Sequence, residues 1–157
     1  MRGEFEKLAY QTALRGLDKQ EGYLEELRAR TGVLLAASSL AASFLGQRAF
    51  SHPDPQGLVV IALLAFVASI GAGVFILVPK TDLIFSQAGV GLYEGLFALR
   101  GDMPEVYRRL AYDLGRFWDS NDRKIQRLVR AFTLSAAGLV IETLALAGLL
   151  GDTILWS

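Results

Sequence analysis

The sequence predicts an all-α integral membrane protein with three transmembrane helices, long amphipathic helical extensions on the cytoplasmic side, and assembly into an oligomer. Three observations carry that expectation. Of 157 residues, 52% are hydrophobic and only 20% are charged, with a mean hydropathy of +0.35, which leaves too little polar surface to clothe a soluble domain of this size. The apolar residues gather into three runs almost free of charge, and a helix needs about 20 such residues to cross the hydrocarbon. The basic residues fall on one side of those runs, as the positive-inside rule requires.

Residues 1–30 read as a cytoplasmic amphipathic helix. Tyr10, Leu14, Leu17, Leu24 and Leu27 recur at three, four and seven, which is one helix face, and charge lies elsewhere. The segment is charged and lacks an apolar stretch followed by a small-residue cleavage site, so it is not expected to be a cleaved signal. Residues 31–50 are the first span. Its apolar part, "TGVLLAASSLAASFLG", is short and reaches membrane length only if Gln47, Ala49 and Phe50 enter the interface. Residues 51–56 are a short outer loop, and residues 57–79, "GLVVIALLAFVASIGAGVFILVP", are the second span, closed by Pro79.

Residues 80–130 are expected to form a cytoplasmic helical region. Asp102, with Glu105 three residues on and Pro104 in the first turn, marks a helix N-terminus. Val106, Leu110, Leu114, Phe117, Ile125 and Leu128 form its apolar face. Residues 131–151, "AFTLSAAGLVIETLALAGLLG", are the third span, followed by an outer tail at 152–157. Neither amphipathic helix meets a stop signal before its span, so each is expected to be one helix of about 45 residues, about 65–70 Å long.

Charge sets the orientation. Arg2, Lys7, Arg15, Lys19, Arg28 and Arg30 precede the first span. Lys80, Arg100, Arg108, Arg109, Arg116, Arg123, Lys124, Arg127 and Arg130 lie between the second and third, and only Arg48 lies in the connection between the first and second apolar runs. The N-terminus is therefore expected in the cytoplasm and the C-terminus outside, with Phe50 and Trp156 near the outer interface. The alternative, a soluble bundle with unusually apolar buried helices, does not account for this asymmetry.

Several function classes are disfavoured. Sixteen basic and sixteen acidic residues cancel, so no chain-wide field recommends a nucleic-acid polymer as partner. The absence of cysteine excludes disulfides, thiolate metal sites and cysteine nucleophiles. "GVGLYEG" has the glycines of a phosphate loop but no preceding strand and no following lysine, so it reads as a helix-breaking turn. His52, beside Asp54 and two prolines, reads as a solvated loop residue. No span offers a pair of acids or a serine–histidine arrangement, so no enzyme, cofactor or metal is expected.

Within the spans, small residues recur at helical spacing. The first has Gly32, Ala36, Ser39, Ser43 and Gly46, the second Ala65, Ser69 and Gly73, and the third Ser135, Gly138, Glu142 and Ala145. Backbones approach closely along such faces. Counted from the cytoplasmic ends, Ser39, Ser69 and Glu142 lie about 14, 15 and 18 Å deep. They are expected to form a polar layer near the midplane, with Ser43 and Thr143 as additions. An ionised carboxylate there is costly, and none of the three apolar runs, 31–46, 57–79 and 131–151, holds an arginine or lysine to pair with it. Two roles stay open for Glu142: a neutral acid joining helices, or one member of an acidic ring that attracts cations to a wet lumen. On the cytoplasmic side Tyr107, Phe117, Trp118 and Asn121 are the candidates for a gate or partner contact.

The order of parts resembles the transmembrane effector family of the Pycsar anti-phage systems, and more loosely the SLATT-type membrane effectors. The likeness covers roughly residues 24–150. It rests on "LRARTGVLLAASSL" entering the first span, Pro79, the following "LIF", and "LAYDLGRFWDSNDRKIQRLVRAF" before the third span, where Leu110, Ala111, Asn121, Lys124 and Leu128 stand at recurrent positions. The resemblance implies a bacterial inner-membrane protein that oligomerises and permeabilises or depolarises the membrane when triggered. It covers the membrane-helix part only. No β-rich segment is present to bind a cyclic nucleotide, so a nucleotide signal or a cytoplasmic sensor protein would act through a partner or the helical part. Glu142 is not carried over from that family. The competing expectation is a non-conducting membrane scaffold whose cytoplasmic helices dock a soluble partner.

Overall fold

The structure, a computed structural model, describes residues 2–51, 56–79, 83–85, 96–97 and 102–155, with side chains at 3–44, 57–79, 83–85, 96–97 and 102–148. Among the described residues the chain is all-helical, with three helices and no strand: α1 (Arg2–Ser51), α2 (Gln56–Leu77) and α3 (Met103–Leu155). His52, "GVGLYEG", Trp156 and the side chain of Phe50 lie outside the described residues.

Local sequence explains the ends. The Glu105 amide donates to Asp102 Oδ1 at 3.4 Å, and the Val106 amide donates to the Asp102 carbonyl at 3.1 Å. Asp102 thus caps α3 as its spacing from Glu105 predicts. Glu105 is held in turn by Arg108, 2.7 Å away. The last turn of α2 closes with the Val78 amide donating to the Val74 carbonyl, and Pro79, which has no amide proton, follows. Nothing interrupts α1 or α3, which run for 50 and 53 residues.

Two compact units share these helices: residues Met1–Glu25 with Lys80–Gln126, and Glu26–Pro79 with Arg127–Ser157. In the first unit Leu17 of α1 and Val106, Leu110, Leu114 and Ile125 of α3 are buried. Tyr10 packs on Tyr107 with ring centroids 5.7 Å apart. In the second unit the buried positions on α2 include Ala62, Ala65, Ser69, Ala72 and Ile76, and those on α3 include Leu128, Ser135, Glu142 and Ala145. Their spacings of three, four and seven make one stripe per helix.

The second unit is apolar outside and holds a polar layer within its interior. Val33, Leu40 and Phe44 of α1, Leu63, Leu64 and Val67 of α2, and Leu134, Val140 and Leu144 of α3 are exposed, while Ser38, Ser69, Ser135 and Glu142 are fully buried. A soluble core has the opposite arrangement. Two helical stretches, Gly57–Leu77 and Met103–Gly148, are long and apolar enough to cross a membrane, and only 28% and 22% of their apolar windows are buried within the chain. Helix α1 is not among them; Arg28 and Arg30 border its apolar half.

Candidate functional site

Hydroxyl groups build the centre of the second unit. Ser69 Oγ donates to the Ser135 carbonyl at 2.9 Å, and Ser135 Oγ donates to the Ser69 carbonyl at 3.0 Å. The two hydroxyl oxygens are 3.1 Å apart, and Ser38 Oγ lies 3.2 Å from Ser69 Oγ. One serine from each helix therefore meets in a buried cluster. Small side chains permit it. A Cβ on Gly138 would lie 2.9 Å from the Ala65 carbonyl oxygen and 3.0 Å from Ser69 Cβ, and one on Gly73 would lie 2.6 Å from Leu35 Cδ2. At these glycines neighbouring helices come close, which the missing side chain permits.

Glu142 stands two turns beyond Ser135 on the same face of α3 and is 0% exposed. Helical side chains lean toward the N-terminus, which turns this carboxyl back toward the serines, and the Ser38 hydroxyl is the polar group facing it. Neither carboxyl oxygen has a hydrogen-bond partner of good geometry among the described residues. Beyond it the faces become apolar again, with Ala145 against Ala62 and Leu58, Val59 and Leu146 around them.

The first-span stripe lies on the surface of the single chain. Gly32, Ala36, Ser39 and Ser43 are exposed, and Ser38 takes the inward position expected of Ser39. Ser39 Oγ donates to the Leu35 carbonyl at 2.8 Å and Ser43 Oγ to the Ser39 carbonyl at 2.9 Å. Thr143 likewise donates to the Leu139 carbonyl at 2.8 Å and is exposed. Such hydroxyls satisfy themselves on their own helix and leave an apolar exterior. Gly46 lies on described helical backbone, but its surroundings fall outside the described side chains. The inward stripe of the chain is a different one: Leu17, Leu24 and Leu27 continue at four and seven to Thr31 and Ser38, both fully buried. Thr31 donates to the Leu27 carbonyl at 2.7 Å.

The first unit holds the remaining candidates. Asn121 is 1% exposed and grips the backbone of Ile84: the Ile84 amide donates to Asn121 Oδ1 at 3.2 Å, and Asn121 Nδ2 donates to the Ile84 carbonyl at 2.7 Å. Its amide is committed inside the unit. The Trp118 ring lies over Gly16, 3.5 Å from where a Cβ would stand, and the Trp118 carbonyl accepts from Gln20 Nε2 at 3.2 Å. Phe117 and Tyr107 are half-buried. The freest aromatic rings here are Phe5, 72% exposed, and Tyr112, 71% exposed, which flank an open cavity of about 490 Å³ also lined by Glu6, Arg108, Arg116 and Asp119. Sequence reading missed Phe5 and Tyr112 because it ranked residues by their place on the apolar stripe, and these lie off it.

No group of three or more histidine, cysteine or acidic side chains able to hold a metal occurs among the described residues. No protein-family model, curated protein or solved structure matches the chain.

Proposed function

We propose that this chain is a bacterial inner-membrane protein with three spans, a cytoplasmic N-terminus and an outer C-terminus, whose oligomer conducts ions or disrupts the membrane when triggered, in the manner of an anti-phage effector. The bilayer is its first partner. The trigger is a cytoplasmic sensor protein or a nucleotide signal that acts on the helices of the first unit. No catalysis is part of the reading.

The observation that carries it is the buried, unpartnered carboxyl of Glu142 beside the Ser38, Ser69 and Ser135 hydroxyls, inside a helix set whose exterior is apolar. The Ser38 hydroxyl is the polar group that faces the acid, and neither carboxyl oxygen has a hydrogen-bond partner of good geometry among the described residues. Intramembrane acids without a partner mark ion or proton pathways. The acid is enclosed by its own chain's helices, so the path or gate is assigned to each protomer's interior, in place of an acidic ring on a shared lumen.

Ion flux in proteoliposomes, wild type against Glu142→Gln at matched insertion, tests the proposal. Flux that falls at least tenfold or changes selectivity in the variant supports it. A wild type silent at every pH and with every nucleotide tried, together with a Glu142→Gln variant that behaves identically, refutes it. The scaffold reading then takes over, and the exposed rings of Phe5 and Tyr112 favour it as the surface for a soluble partner. In that case Tyr112→Ala loses the partner while Glu142→Gln keeps it.

A further inference from the structure

We propose that Glu142 and Ser38 form a binding site for a single proton, filled when the three helices of the second unit are packed and emptied when they part. The proposal deepens the conducting reading by naming the occupant of the polar core, and its own test does not depend on flux.

Three observations lead to a proton. The first is the unpartnered carboxyl: fully buried Glu142 has both oxygens free. The second is isolation. Residues 31–44 of α1, 57–79 of α2 and 131–148 of α3 contain no other ionisable side chain, so no described side chain of these packed segments compensates a carboxylate. The third is the number of oxygens left over. Ser69 and Ser135 spend their hydroxyl protons on each other's carbonyls, and only Ser38 faces the acid. Two carboxyl oxygens and one hydroxyl make three ligands, whereas hard metal cations gather about six oxygens. A proton needs only one bond and one acceptor.

In the filled site the carboxylic O–H donates to Ser38 Oγ, which still donates its own hydrogen to Ser69 Oγ, so every hydroxyl proton in the cluster has an acceptor. Emptying the site breaks the carboxylic O–H bond, leaves the electron pair on the carboxylate and passes the proton to water. The carboxylate then needs hydration that the packed interior cannot supply, and the helices must part around it. Ala145 and Ala62, one turn farther along and buried against each other, are the first contact to open.

Two measurements on the full chain in lipid vesicles test this. Infrared spectra of the wild type minus Glu142→Gln should show the carbonyl band of a neutral carboxylic acid at neutral pH, where exposed glutamates are ionised, and the band should disappear as pH rises. The chain has no cysteine, so Ala145→Cys supplies a unique thiol. Its modification by a water-soluble reagent should accelerate at least tenfold over the pH range in which the band is lost, relative to the same thiol in a Glu142→Gln background. Absence of the band at neutral pH overturns the proposal, since the acid is then ionised in the packed state. Loss of the band on adding sodium at fixed pH overturns it in favour of a metal-cation site. A band that titrates with no change in thiol access overturns the link to packing. A protein that shows both responses yet passes no ions keeps the proton site and loses the conducting function.

Discussion

Ser69 and Ser135 exchange hydroxyl hydrogen bonds with each other's backbone carbonyls, at 2.9 and 3.0 Å, so that two helices are fastened by a reciprocal pair at one level. Each carbonyl serves its own helix as well, so the clasp costs the helices no backbone bond. Hydrogen bonds between membrane helices contribute about 0.6 kcal/mol on average and up to about 1.7. Ser69→Ala and Ser135→Ala should each destabilise by about 0.5–1.5 kcal/mol in a reversible unfolding assay in detergent, and the double variant should lose less than the sum. Ser38→Ala should also destabilise. Ser39→Ala, which removes only a hydroxyl bonded to its own helix, should be silent.

The glycines separate by what stands opposite them. At Gly138 a methyl group meets the Ala65 carbonyl at 2.9 Å, and backbone cannot step aside without moving a helix. At Gly73 the obstacle is the end of the Leu35 side chain, which can turn to another rotamer. Gly71 faces open space. Gly138→Ala should therefore cost about 1–3 kcal/mol as an overpacked contact. Gly73→Ala should cost about 1 kcal/mol or less, and Gly71→Ala should be neutral or stabilising by up to about 1 kcal/mol through helix propensity. The order of the three matters more than any one value, and equal effects would mean that α2 and α3 do not approach at Gly138.

Where the sequence carried a local chemical signal, the element was legible. Asp102 with Glu105 marked the start of α3, Pro79 the end of α2, and the lone acid in an apolar run picked out Glu142. In α1 two stripes compete, and only one of them faces the chain's own interior. Gly32, Ala36, Ser39 and Ser43 look like a packing face by size, while Thr31 and Ser38 pack by continuing the leucines of the preceding turns. Size alone does not choose between them; continuity along an unbroken helix does. Asn121 was legible as important, but its acceptor and donor at Ile84 come from a segment with no helical period, and no spacing rule connects them.

Asn121 holds the backbone of Ile84 through both halves of its amide. Asn121→Ala leaves a buried donor and acceptor without partners, and each such group costs about 1–3 kcal/mol if water cannot reach it. Ile84 is 43% exposed, so water recovers part of this, and the net loss should fall near 2 kcal/mol. Hydrogen exchange at the Ile84 amide should accelerate by at least tenfold while exchange in the middle of α2 is unchanged. Asn121→Asp is the sharper variant. It keeps the acceptor for the Ile84 amide but sets an oxygen against the Ile84 carbonyl, where the native amide donates at 2.7 Å, so it should release the segment nearly as fully as alanine does.

Gln20 presents the opposite case, a buried polar group whose removal should not hurt. Its Nε2 donates to the Trp118 carbonyl at 3.2 Å, but its Oε1 is buried with no partner. The carbonyl keeps its helical bond without Gln20, and the unpartnered oxygen is a standing cost of about 1–3 kcal/mol. Gln20→Leu fills similar space between Leu17 and Leu24 on the same stripe of α1 and deletes the orphan. It should leave thermal stability unchanged or raise it by up to about 1 kcal/mol. Gln20→Glu, by contrast, buries a carboxyl and loses the one hydrogen bond, so it should destabilise by more than 2 kcal/mol at neutral pH and recover on acidification as the acid becomes neutral. If Gln20→Leu instead cost as much as Gln20→Glu, Oε1 would have to be accepting a hydrogen bond in the native protein. The first unit would then hold a donor, water or partner, at the level of Trp118.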